Sequence, residues 1–401
     1  MLKALFYFLY ELIHRSAVYI FKKVKIFNFL IPTLHIKLEY DLYSWMKKKN
    51  YKVSTIYEPL KTYHTESCNK LDNPFFDELD HITTERKRNY KDLIYERVYF
   101  GKIGKSVVHQ QSGFTISWIT KDLFVETNVF KDKFLANQQF YDSIRRFQLK
   151  IIKNKSTFLV TSNNYYHSIT EFIIRIFLYN QYIKEEITIY TNKLNSFHKE
   201  LLKFFELESL NIKELESNEN YLLFEDFYFL SFAGLSGFPN PIIVQMLNKR
   251  IHEKLHGDKK NELLFISRTK SKQRRLINQK EVESKILNKY AIKILDLEEL
   301  SVQEQFEYFY GAKIIIGIHG AGLSNVLACS KAKIIELFNE KYVVDCYFHL
   351  CACLDIEYHY ILCQNYGTPM VINNIDYYGS NDIIINIDEL ELIIQKLIKT
   401  I

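Results

Sequence analysis

The chain has 401 residues, 47% of them hydrophobic and 25% charged, with only six prolines. This is a globular composition with material for two cores, and it excludes a disordered chain. A formal net charge of +6 suits an anionic small ligand or an anionic membrane surface, but falls short of the concentrated basic footprint of a nucleic-acid binder. Six cysteines (Cys68, Cys329, Cys346, Cys351, Cys353 and Cys363) are too few for a disulfide scaffold at this length.

Residues 1–32 mix Lys3, Arg15, Lys22, Lys23 and Lys25 with Phe, Leu, Tyr and Ile. No stretch reaches the ~20 apolar residues that span a bilayer, and no small-residue cleavage site follows. Two readings stay open: an amphipathic helix lying in a membrane surface, or a helix packed on the protein's own body. Residues 33–95 show few periods and form a poorly defined lead-in.

From about residue 97 short apolar runs alternate with helical stretches, which indicates an α/β architecture. Strands are expected at 156–161, 186–191 and 221–230, and helices at 166–181 and 195–206. GLSGFPNP at 234–241 collects breakers and marks a boundary. Beyond it, strands are expected at 262–266, 291–296, 313–318, 332–337 and 357–362. Helices are expected at 241–256, 279–290, 302–311, 321–329 and 344–354. Continuous Ile/Leu/Val strands spaced by helices imply a parallel sheet covered on both faces. Cys346, Cys351 and Cys353 fall on one of these helices without a paired C-x-x-C, so buried thiols are favoured over a metal site. A final helix, 387–400, is expected to pack back on the first domain. The division is therefore 1–32, 33–235, 236–380 and 381–401.

Open parallel sheets bind ligands beyond the carboxyl ends of their strands. Those ends carry Arg268 with Lys270, Lys272, Arg274 and Arg275; then His319, Gly320, Ala321 and Gly322 at a helix start; then Glu336. Glycines admit a ligand to the backbone, a helix start faces an anion, and arginines fork onto phosphate oxygens. Glu336 is placed to accept hydrogen bonds from both ribose hydroxyls. A nucleoside diphosphate satisfies the set. Gly-x-Gly-x-x-Gly is absent, which disfavours NAD. In the first half, His167, Glu171 and Arg175 recur every four residues and share one helix face, opposite Phe172, Ile173, Ile174 and Phe177. A His and a Glu together can support acid–base work.

GIHGAGLSN at 317–325 followed by KIIELFN at 333–339, ISRTKSKQRRLINQKEV at 266–282 and NYYHSITEFIIR at 164–175 together resemble glycosyltransferase family 61. Ser324, Gln279 and Glu171 stand where Thr, an acidic residue and Asp are commoner in that family. The resemblance implies a GT-B type enzyme with two facing Rossmann-like domains and a central cleft, transferring sugar with inversion. It implies a hexosyl-, pentosyl- or N-acetylhexosaminyltransferase. By match, the donor residues are Arg268, Arg274, Arg275, His319, Gly320, Ala321, Gly322, Asn325 and Glu336, with Arg175 and Asn278 in support. Glu171 is the expected base and His167 its runner-up.

No cofactor is expected: a nucleotide sugar, UDP-linked, is the substrate, and a glycan or lipid-linked glycan accepts the sugar. No Asp-x-Asp pair offers a metal site, the nearest approach being Asp296-Leu297-Glu298, so metal independence is expected. The absence of a secretory anchor suggests a bacterial enzyme of surface polysaccharide synthesis, cytoplasmic or peripheral at the inner face of the membrane. The competing reading is a catalytically idle glycan- or nucleic-acid-binding α/β protein.

Overall fold

A computed structural model describes residues 37–39, 41–61, 94–120, 122–127, 150–216, 221–255, 262–372 and 375–401. Residues 1–32 and Cys68 lie outside the described residues, and so do the two readings of the N-terminal segment.

Two large sheets are formed among the described residues. The second is the simpler, with strand order Lys293–Leu295, Glu262–Ile266, Ala312–Ile318, Lys333–Asn339, Glu357–Tyr366, Asp382–Ile384. The first five strands pair in parallel, and Asp382–Ile384 closes the edge antiparallel. Side chains alternate between its two faces as the pleat dictates. Leu264, Ile266, Ile315 and Ile334 enter one apolar cluster, while Phe265, Ile314, Ile316 and Ile335 enter another.

The first sheet is mixed. Lys150–Leu159 pairs in parallel with Thr188–Thr191 and with Tyr221–Leu230. Tyr221–Leu230 then pairs antiparallel with Val98–His109, from which an antiparallel series runs through Thr115–Ser117 to Asp122–Phe124. The Rossmann-like pattern expected of this half therefore holds only on one side of Tyr221–Leu230. The lead-in is also less formless than its sequence suggests. Helix Leu42–Lys48 buries Leu42, Trp45 and Met46 on the sheet, and Val53–Tyr57 pairs with Val98–His109.

Local sequence fixes the helices that matter to the site. Asn164 caps the helix that begins at Tyr165, its side chain accepting from the Tyr166 amide. That helix widens to π geometry over Ser168–Ile173 and returns to α over Ile174–Tyr182. Ser301 and Glu304 form a reciprocal capping box ahead of Val302–Gly311, a device that contributes ~1 kcal/mol. Asn240 and Pro241 start Pro241–Lys254 in the same economical way.

The apolar cluster that contains Leu264 and Ile315 is continuous with Ile169, Phe172, Ile173 and Phe177 and with Val98, Phe100 and Leu159 of the first sheet. The two halves thus share buried surface. The C-terminal helix, Ile387–Ile398, does not pack back on the first half. Leu390, Ile394 and Leu397 sit with Val282, Ile286 and Leu287 on the outer face of the second sheet, and Lys289 and Tyr290 bind Glu391. The antiparallel strand that precedes this helix already commits the chain to that face. Among the described residues no helix is long and apolar enough to cross a membrane.

Candidate active site

A cleft of ≈ 850 Å³ is lined by residues of both halves. Its C-terminal wall is the set of strand ends singled out in the sequence. Arg268, Arg274, His319, Gly320, Ala321 and Gly322 all face it. From the other wall come His167, Tyr165 and Ser236.

The C-terminal wall is built around two arginines. Arg268 donates to Ser271 Oγ at 3.0 Å, and Arg274 donates to the His319 carbonyl at 3.1 Å. The Nε of each is buried with no hydrogen-bond partner. Burial, and then the neighbouring Arg274 charge, lower the Arg268 pKa from its ordinary value. Two cations held side by side with orphaned donors form a site short of an anion. Gly320 is required by this arrangement: a Cβ built there would stand 2.1 Å from a terminal nitrogen of Arg268. Gly322 yields similarly to Leu297, whose Cδ1 lies 2.6 Å from the position of a Cβ.

The sequence offered Arg274 and Arg275 together, and the structure separates them. Arg274 takes a left-handed backbone, φ 56°, which turns its side chain into the cleft. Arg275 points away and is bound twice by Asp382, at 2.8 and 3.1 Å. It is not a donor ligand here. Asn278 exchanges two hydrogen bonds with the backbone of Ile385, so its support is to the sheet edge.

Two further expectations are corrected. Glu336 is fully buried, with Oε1 2.6 Å from His319 Nδ1 and Oε2 accepting from the Tyr358 hydroxyl at 2.6 Å. With no exposed surface and no place in the cleft lining, Glu336 stands behind His319 and orients it rather than meeting a ribose. Asn325 is likewise buried, accepting from Tyr165 and donating to Gln305 and to the Gly322 carbonyl. It braces the cleft wall from behind and ties it to the N-terminal half.

On the opposite wall His167 faces the cleft and Glu171 stands behind it. Glu171 Oε1 lies 2.6 Å from His167 Nδ1 and accepts from Ser236 Oγ at 3.0 Å. The widened turn Ser168–Ile173 carries this carboxylate, and such turns recur at functional sites. Arg175 makes no ion pair with Glu171. It is buried, donates to the Leu230 carbonyl and lies over the Phe232 ring at 4.3 Å. Burial pushes its guanidinium down, with Glu171 the one carboxylate opposing the shift.

Residues 165–335 match the family model described as Glycosyltransferase 61. The match is to a glycosyltransferase family, and it agrees with the resemblance carried by the HGAG and Ser-Arg motifs. No curated protein matches the chain. The matched segment begins at Tyr165, two residues before His167, and ends one residue before Glu336. It therefore spans both arginines and both histidines of the cleft.

Several cleft residues were missed from sequence. Ser236 lies in a run read only as a chain breaker. Glu298 stands out in the sequence only beside Asp296, as half of a metal pair. Tyr342, which packs against His319 and Tyr377, was hidden among 29 tyrosines. Cys346, Cys351 and Cys353 are buried thiols on Cys346–Cys353, with His349 Nε2 donating to the Pro239 carbonyl at 2.8 Å. Burial raises the Cys346 and Cys351 thiols well above their ordinary range.

Proposed function

We propose that the protein transfers a sugar, with inversion, from a nucleoside-diphosphate donor to a hydroxyl of a glycan or lipid-linked glycan. The observation that carries this reading is the pair Arg268 and Arg274, which line one cleft beside Gly320 and each carry a buried, unpartnered Nε. A diphosphate supplies the missing acceptors, and its negative charge grows as it leaves, where fixed cations stabilise it most. The architecture that fits is the two-domain GT-B arrangement, with the division near 235 and the donor on the C-terminal half.

The base in this reading is His167, with Glu171 as the residue that positions it. Glu171 accepts at Nδ1, which fixes the tautomer with its lone pair on Nε2. The acceptor hydroxyl oxygen attacks the anomeric carbon, the bond to the diphosphate breaks, and His167 takes the hydroxyl proton. This reverses the order expected from sequence, because Glu171 does not reach the cleft surface.

Titration of the full chain with UDP, GDP and CMP by calorimetry and thermal unfolding tests the donor site. At least one diphosphate should bind and raise the melting midpoint. Arg268→Ala and Arg274→Ala should each weaken it by about 1.5–3 kcal/mol, the range for a charge-assisted hydrogen bond. Chelator should leave that affinity unchanged, since the arginines carry the charge. Unchanged affinity in both variants would remove the diphosphate role.

A further inference from the structure

With Glu336 buried behind His319, a diphosphate site needs another group to hold the rest of a nucleotide. The carboxylates around the second sheet can be taken in turn. Asp296 and Glu299 are engaged by Lys270, the first at 3.7 Å. Glu200 lines the cleft, but its Oε2 accepts from the Val302 amide at 2.8 Å. Glu298 lines the cleft, is exposed, and has no hydrogen bond or ion pair with any described residue.

Its position is fixed although its side chain is unpaired. Gln305 Nε2 donates to the carbonyls of Leu297 and Leu300, both at 3.0 Å, clamping the turn Leu297–Glu299 from each side. Leu297 is wedged against Gly322 of the phosphate-facing loop. The strand before this turn, Lys293–Leu295, is the direct neighbour of Glu262–Ile266, which delivers Arg268. Adjacent strands lie about 5 Å apart, roughly one sugar ring. The Glu298 charge acts on Arg268 without pairing with it, so a gap separates the acid from the arginine clamp. Leu300, Val302 and Phe197 give the cleft lining an apolar portion, with Glu200 held at its edge by the Val302 amide.

We infer that Glu298 accepts hydrogen bonds from the 2′ and 3′ hydroxyls of the donor's ribose, so that the site selects ribonucleotides over deoxyribonucleotides. The order along the wall is then a flat base on Leu300, Val302 and Phe197, the ribose at Glu298, and the diphosphate at Arg268 and Arg274. The inference rests on the donor-site reading above. An ionised carboxylate beside a diphosphate is repelled by it, and two hydroxyl donors placed between the two are what offsets that cost.

The test is calorimetric titration of the full chain with UDP and 2′-deoxy-UDP, and with GDP and 2′-deoxy-GDP. Wild type should prefer the ribonucleotide on the order of tenfold to hundredfold. In Glu298→Ala that ratio should fall to about one, with the ribonucleotide losing more affinity than the deoxy ligand, which gives up only its 3′ hydroxyl bond. Because Glu298 is exposed, the melting midpoint of the unliganded variant should match wild type, which separates this result from misfolding. A wild type indifferent to the 2′ hydroxyl, or a Glu298→Ala that keeps the preference, overturns the role of Glu298 while leaving the arginine clamp standing. Failure of every diphosphate to bind wild type overturns the donor site and this inference with it.

Discussion

The two walls of the cleft carry the same pair in different company. On each, a histidine Nδ1 meets a glutamate Oε1 at 2.6 Å, and on each the histidine lines the cleft while the glutamate does not. His167 and Glu171 stand on one helix, four residues apart, with side chains 26% and 17% exposed. His319 and Glu336 come from neighbouring strand ends, with side chains 9% and 0% exposed. The first pair has a hydroxyl, Ser236, as its neighbour; the second has Arg274 bonded to its backbone and Arg268 against the next residue. One geometry therefore serves two tasks. In the proposed reading the first pair, partly open beside the Ser236 hydroxyl, moves a proton, and the second, closed beside two guanidinium groups, shapes an anion site.

The sharpest way to break this comparison is to remove each histidine's task separately. His167→Ala should lower turnover by about two to four orders of magnitude, the contribution of a positioned base, while nucleoside diphosphate affinity is unchanged by calorimetry. Glu171→Gln keeps a neutral acceptor at Nδ1 and should cost less, about tenfold to a hundredfold in the same assay. If Glu171→Gln loses turnover and His167→Ala keeps it, the two roles are exchanged.

The glutamates should differ most in stability. Glu336→Ala leaves His319 and the Tyr358 hydroxyl without their acceptor inside the protein, and breaking a buried pair costs about 3–5 kcal/mol. Glu171→Ala opens a partly exposed pair and should cost less, about 1 kcal/mol. Chemical denaturation of the two variants beside wild type measures both. Equal losses would show that burial does not distinguish the pairs.

The sequence told more about the C-terminal wall than about the other. Long Ile/Leu/Val strands announce a parallel sheet, and a parallel sheet places its ligand at its strand ends, so Arg268, Arg274, His319 and Gly320 could be named before any coordinates. What periodicity could not resolve was direction. Arg274 and Arg275 are equivalent as letters, and only a left-handed backbone at Arg274 sends one inward and one to Asp382. Glu336 lies at the correct strand end, yet its side chain is claimed by Tyr358 from the adjacent strand, a contact 22 residues away along the chain. The antiparallel half of the first sheet was missed because Val98–His109 interrupts its apolar residues with Gly101, Lys102, Gly104 and Lys105, which reads as turn rather than strand. The helix 166–181 was legible, but its widened turn, which carries the buried Phe172 and Ile173, leaves no mark in the apolar spacing.

A last variant isolates the arginine wall without touching an arginine. Gly320 has an extended backbone, φ 168°, which any residue adopts, so Gly320→Ala carries no conformational strain. A Cβ there would stand 2.1 Å from the Arg268 guanidinium and 3.0 Å from its central carbon. The obstacle is the far end of a flexible side chain, and the guanidinium will move rather than the strand. The variant should therefore fold with a melting midpoint close to wild type, and should weaken diphosphate binding about tenfold, the lower end of what a charge-assisted hydrogen bond contributes. Combined with Arg268→Ala, it should add almost nothing, because both changes act on one group. Additive losses in the double variant would mean that Gly320 meets the ligand directly, and that the anion site extends past the two arginines onto the backbone of the HGAG loop.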